Sequence, residues 1–188
     1  MAAGDAARLA TVLLENQGLS HGDVFAPTLE RAAPGKPELV QRLDRSHGFE
    51  YLVPFERANA VTAIVRLDAR FGTFQGAFNL AANARWPRLL WDDVRRRLAD
   101  GLLDVVSFGV EDRYLTRCIF EKYRLFEGMY CLYPTLVWAP CWESRSPYFP
   151  FYMVTIGSDR FYISSMDGTI YRRLHLFGPA GPQRPGGL

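Results

Sequence analysis

Cysteine and histidine are scarce in this 188-residue chain, with three of each. No two of His21, His47, Cys118, Cys131, Cys141 and His175 stand at the short spacing that places two ligands on one ion. The odd cysteine count also excludes a closed disulfide framework, so reduced thiols are expected and neither a metal nor a cofactor is implied. Long apolar runs are missing too: no stretch approaches the ~20 residues of a membrane span. Charge of one sign is not in excess, since 22 basic and 20 acidic residues leave a net charge of +2. A balance of that kind sets up no field for a polyanion. The one dense basic run, Arg95-Arg96-Arg97, falls where a helix should end and where cations complement the helix dipole, so no nucleic-acid partner is expected. There is no GxxxxGK[ST] and no GxGxxG to cradle a phosphate. Asp92-Asp93 and Glu111-Asp112 are sequence neighbours that do not face each other on a helix or a strand, so they do not form an acid/base pair. The N-terminus lacks a basic leader, and Asp5, Arg8, Thr11 and Glu15 interrupt its apolar residues. It reads as a first helix, and a cytoplasmic location is expected.

What the chain does have is 48% hydrophobic and 14% aromatic residues, ample for a sizeable core. A helix is expected from Asp5 to Asn16, with Leu9, Val12, Leu13 and Asn16 at helical spacing and Gly18 beyond it. Gly22 to Lys36 reads as loop, and Pro37 opens a short helix through Leu43. Phe49 to Phe55, Val61 to Leu67 and Thr73 to Phe78 read as three strands, the first two joined at Ala58-Asn59. Pro87, early aspartates, late arginines and Gly101 define a second helix, and Leu102 to Phe126 leans towards strand on its aromatic and β-branched content. Four more strands are expected at Leu132 to Ala139, Phe151 to Ile156, Arg160 to Ser165 and Thr169 to Leu176. Between the last two, Asp167-Gly168 has the composition of a two-residue type I′ turn. In the last strand Ile170, Leu174 and Leu176 should point inward, with Tyr171, Arg173 and His175 outward. The stretch 178–188, GPAGPQRPGGL, is expected to be a disordered tail.

The fold class that follows is α+β, helices packed on antiparallel sheet. The two halves echo each other, each with an aromatic-rich strand, a short turn, a second strand and a Gly-Thr turn into a third. Residues 1–80 and 81–177 therefore read as two duplicated helix-plus-meander units. Val65-Arg66-Leu67-Asp68 to Gly72-Thr73-Phe74, and Ile163 to Gly168-Thr169-Ile170, carry a resemblance to PepSY-type or peptidase-propeptide modules. That resemblance implies a helix on an antiparallel sheet and a non-catalytic role.

The densest run of aromatics, prolines and small polar residues is Thr135 to Tyr162. Within it Ser144-Arg145-Ser146-Pro147 forms a turn-rich loop flanked by Trp138, Trp142, Tyr148 and Phe149, and Tyr152 follows. Aromatics and arginine are the residues that dominate protein interfaces, so Trp138, Trp142, Arg145, Tyr148 and Tyr152 are candidate binding residues for a protein partner. Their alternative role is to fill the core. Cys141 with His175 is the candidate reactive pair of a second reading, an enzyme or small-ligand carrier with a helix/sheet pocket, because a nucleophilic thiol needs a base within reach. Homodimerisation through an uncovered sheet face is a third.

Overall fold

A long hairpin dominates the first half. Strand β3 (Gly48–Arg57) turns into β4 (Ala60–Asp68) through Ala58 and Asn59, whose φ values of 50° and 64° are the paired left-handed conformations of a type I′ turn. β4 pairs in turn with β5 (Phe74–Asn79). The computed structural model describes residues 1–80, 85–87, 93, 134–144, 146–156 and 159–177. The helix expected after Pro87 (Asp93 apart), the segment Leu102 to Phe126, Cys118, Cys131, Arg145 and the tail 178–188 lie outside them.

Among the described residues, both halves contribute to one nine-stranded sheet. Strand β2 (Glu38–Arg42) pairs antiparallel with β3, and β1 (Ala33–Pro34) adds to β3 further along. On its other side β2 runs parallel to β6 (Thr135–Trp138), with Gln41 beside Val137 and Arg42 beside Trp138. From β6 the sheet continues antiparallel through β7 (Phe151–Ile156), β8 (Asp159–Ser164) and β9 (Ile170–Tyr171). The order β5-β4-β3-β2-β6-β7-β8-β9 thus reads outward from a central parallel pair, with a meander on each side. The protein is a sheet-rich α+β fold.

Helix α1 (Ala3–Asn16) covers one face of the first meander. Ala6, Ala10 and Leu14, each four residues from the last, are buried against Tyr51, Val53, Phe55, Ala63, Val65 and Leu67. This corrects the expected stripe: Leu9 and Leu13 are only partly buried and Val12 is half exposed, because two small alanines let the helix axis approach the sheet. On that same face of the second meander Val137, Cys141, Phe151 and Leu174 form another cluster. The opposite face carries Val40, Leu52, Ile64, Leu80, Trp86 and Phe149.

Three local expectations are corrected. The helix from Pro37 is strand β2 instead, because Val40 and Arg42 point into the protein at strand period and both neighbours offer partners. The loop from Gly22 holds a short helix, α2 (Ala26–Leu29), and β1. The turn at Asp167-Gly168 is wider than two residues: Ser164 N–H reaches Thr169 O at 2.9 Å, Gly168 N–H reaches Ser164 O at 2.9 Å, and only Gly168 has positive φ. The first meander repeats this arrangement, with Asp68 N–H to Thr73 O and Gly72 N–H to Asp68 O, both at 2.9 Å. In each turn the first side chain accepts the next free amides, Asp68 from Arg70 and Phe71, Ser164 from Met166 and Asp167. Finally, β9 stops at Tyr171. The chain then leaves the sheet edge and returns to bridge Leu176 with Cys141, so Leu174 is buried while Leu176 is not.

Candidate functional site

The central strands β2 and β6 end side by side, then their chains part: one turns back into β3, the other enters the loop from Ala139 to Pro150. Leu43 N–H holds the two ends together on Trp138 O at 3.0 Å. Beneath that junction lies a set of charges the sequence reading did not single out. Arg42, 6% exposed, donates from Nε to Asp44 Oδ1 at 2.8 Å, from one terminal nitrogen to Asp44 Oδ2 at 2.7 Å, and from the other to Glu50, itself 5% exposed. Burial disfavours the Arg42 charge, but the hydrogen bonds and charges of Asp44 and Glu50 outweigh it and raise its pKa. The same bonds pull the Asp44 carboxyl below its ordinary value against partial burial. Arg66 of β4 joins from the side, its Nε 3.5 Å from Glu50 Oε2, an ion pair without a hydrogen bond, and its terminal nitrogen 3.3 Å from Gln75 O.

The aromatic loop closes over these charges. The Trp138 ring lies 4.4 Å from the Arg42 guanidinium carbon and 5.9 Å from that of Arg66, while its Nε1–H is held by Ser144 Oγ at 2.7 Å. Tyr148 lies 5.7 Å from the Arg66 guanidinium and stacks on Phe78 at 5.1 Å. Such cation–π contacts contribute up to ~2 kcal/mol when water is excluded. Gly76 makes room for Tyr148, since a Cβ there would stand 2.7 Å from the phenol oxygen. Trp86 Nε1–H reaches Tyr148 O at 2.6 Å and anchors the loop from outside.

The sequence-based candidates therefore separate. Trp138 and Tyr148 turn inward over the arginines and are partly buried. Tyr152 is a core residue, 7% exposed, and burial, with the Glu38 and Asp93 carboxylates, pushes its phenol up to about 12. Arg145 lies outside the described residues. Of the described candidates Trp142 alone turns outward: it is 51% exposed and packed edge-on against Phe177 at 5.1 Å. The run of charges at Arg42, Glu50 and Arg66 had one signal in the sequence. Glu50 and Arg66 interrupt strands whose other residues read as buried, and such an interruption on two neighbouring strands is the mark of a paired buried charge.

The bridge between Cys141 and Leu176 puts His175 on the chain opposite Cys141, but the imidazole bonds Glu143 and not the thiol. Trp142 N–H bonds His175 O at 3.2 Å, and His175 N–H bonds Glu143 Oε2 at 3.0 Å. The His175 ring bonds Glu143 Oε1 through Nδ1, and a carboxylate only accepts, so Nδ1 carries the proton. The Glu143 carboxylate is thus taken up by His175 and holds a negative charge near the Cys141 thiol. Burial, together with the Glu143 charge, raises the thiol to about 11. Because folded Cys141 holds its proton above the value of the unfolded chain, its contribution to stability is complete below about 9 and is lost as pH rises towards 11. The thiol should react with iodoacetamide at neutral pH far more slowly in the folded protein than in denaturant, a contrast that mass spectrometry of the Cys141 peptide reads directly. Rapid labelling of the folded protein at Cys141 would contradict this geometry.

Among the described residues no cluster of three or more His, Cys, Asp or Glu is arranged to hold a metal ion, and no helix is long and apolar enough to cross a membrane. No family model, curated protein or solved structure matches this chain.

Proposed function

We propose that the protein is a non-catalytic binding or accessory protein that engages a protein partner in the cytoplasm through the outward part of its aromatic segment, centred on Trp142. The observation that carries this reading is the division within one short stretch: Trp138 and Tyr148 cover arginines, whereas Trp142 stands 51% exposed against Phe177. Trp is one of the residues enriched among interface anchors. Its setting is fixed by Trp142 N–H on His175 O, by Phe177 N–H on Pro140 O at 3.0 Å and by the Glu143 bonds to His175.

Side-chain contact is favoured over addition of a strand. The β5 edge carries Gly76 and a register irregularity opposite Arg66/Leu67, and its end is tied by Asn79 to Val24 O and Thr28. The opposite edge, β9, has two residues. Short, irregular or tethered edges resist pairing with another chain. The mirrored strand order and the matching Asp68–Thr73 and Ser164–Thr169 turns support reading the sheet as two copies of one meander unit of PepSY-like type.

Capture of partners from native lysate tests the proposal, with wild type run beside Trp142→Ala and with circular dichroism showing both to be folded. A partner retained by wild type and lost from the variant is the expected result. A partner held equally by both places the contact elsewhere, and self-association lost from the variant makes the surface a homodimer contact.

A further inference from the structure

Two turns stand together at one end of the first meander, 43–47 between β2 and β3 and 69–73 between β4 and β5, tied by Ala69 N–H on Phe49 O at 2.9 Å. The second turn carries Phe71, 71% exposed, with the Arg70 guanidinium carbon 4.9 Å from its ring centre. Backbone geometry does not explain that ring. The matching turn of the second meander closes with the same pair of backbone hydrogen bonds, Ser164 to Thr169 and Gly168 to Ser164, and has Asp167 where the first has Phe71. The main chain under Phe71 is also independent of water. Five consecutive amides are bonded within the protein: Asp68 to Thr73 O, Ala69 to Phe49 O, Arg70 and Phe71 to Asp68 Oδ1, both at 2.8 Å, and Gly72 to Asp68 O. A turn so satisfied can enter an apolar medium without leaving a donor unmet.

The charges at this end favour an anionic surface. Arg42 and Arg66 are matched by Asp44 and Glu50 beneath, and the Asp68 carboxylate is taken up by the turn amides. That leaves the exposed Arg70 and Arg45, the latter reaching Asp44 only at 3.9 Å. Shape decides between protein and lipid. Aromatic anchors of protein interfaces sit at the centre of a broad complementary patch, whereas Phe71 lies on the turn at a sheet end between the exposed Arg70 and, two residues on, the exposed Thr73. A bilayer receives a single protruding ring without matching its contour, and arginine stems lie along the boundary while their heads stay with the lipid headgroups. We propose that this end of the first meander is a peripheral membrane contact: Phe71 enters the headgroup/acyl boundary of an anionic lipid surface, and Arg70 and Arg45 hold its headgroups. The contact rests on none of the interactions of Trp142 and stands or falls apart from the binding role proposed above.

Co-sedimentation of the intact chain with phosphatidylcholine vesicles, with and without about 30% phosphatidylserine, tests the proposal. Wild type should sediment with the anionic vesicles, much less with the neutral ones, and should be released as added salt screens the arginines. Phe71→Asp, which copies the residue of the matching turn, should weaken binding by about tenfold or more with an unchanged melting curve. Phe71→Leu, which keeps an apolar side chain, should retain it. Arg70→Gln removes one cation and should weaken binding by about fivefold. Wild type that stays in the supernatant with both kinds of vesicle, or Phe71→Asp that sediments like wild type, overturns the membrane contact. Equal sedimentation with neutral and anionic vesicles overturns the role of the arginines. A lysate protein held by wild type and lost from Phe71→Asp, with no vesicle binding by either, overturns the lipid assignment in favour of an acidic protein partner.

Discussion

Replacing Glu50 by alanine should lower the free energy of unfolding by about 3–5 kcal/mol, measured by urea denaturation. Glu50 is 5% exposed and is the common partner of Arg42, 6% exposed, and Arg66, 16% exposed. Its removal takes the counter-charge from Arg66 and leaves Arg42, 6% exposed, with Asp44 as its one remaining carboxylate partner. The expected loss is therefore not the strength of one ion pair but the cost of desolvated charge without a counter-charge. The control is Arg42→Met combined with Glu50→Leu, which removes a cation and an anion together. It should recover part of the loss, as apolar replacements of buried ion pairs do. A Glu50→Ala protein as stable as wild type would mean that the cluster is wetter than its burial indicates.

Trp138→Ala should cost about 2–3 kcal/mol, somewhat less than the 3–5 kcal/mol of a fully buried tryptophan because the ring keeps some solvent contact. Its loss uncovers the faces of Arg42 and Arg66 and frees Ser144, the acceptor of its Nε1–H. Trp142→Ala, four residues on, should change stability by less than about 1 kcal/mol, since half of the ring already faces water and its chief neighbour is Phe177. Parallel urea curves for the two variants read the contrast. Equal losses would place both rings in the same structural role.

Much of this architecture is legible in the amino-acid sequence. β3, β4 and β5 follow from alternation bounded by Ala58-Asn59 and Gly72, and β7 and β8 from aromatic runs bounded by turns. These are short-range signals, and their strands are hairpin neighbours. The misread elements are those decided by distant partners. β2 is only five residues long and begins after a proline, which suits a helix start, and it is a strand because β3 and β6 pair with it on both sides. Asp167-Gly168 has the composition of a tight turn, yet the Ser164 hydroxyl captures the Met166 and Asp167 amides and widens it.

The site divides in the same way. That Trp138, Trp142 and Tyr148 belong together was visible from their density. That two of them face inward was not, because Arg42, Glu50 and Arg66 are brought beneath them only by the registers Val40↔Glu50, Leu52↔Arg66 and Arg42↔Trp138. Cys141 and His175 are paired by chemistry in the sequence, but the imidazole is taken by Glu143, whose importance comes from the returning chain after Tyr171.

The aromatic segment has an inward half, Trp138 and Tyr148, that covers arginines, and an outward ring, Trp142, that is exposed. Acrylamide quenching of tryptophan fluorescence in wild type, Trp138→Phe and Trp142→Phe tests it most directly. Trp142→Phe should remove more of the readily quenched emission than Trp138→Phe does, because Trp142 is the exposed ring of the two. Loss of the quenchable component from Trp138→Phe, with Trp142→Phe resembling wild type, would contradict the account.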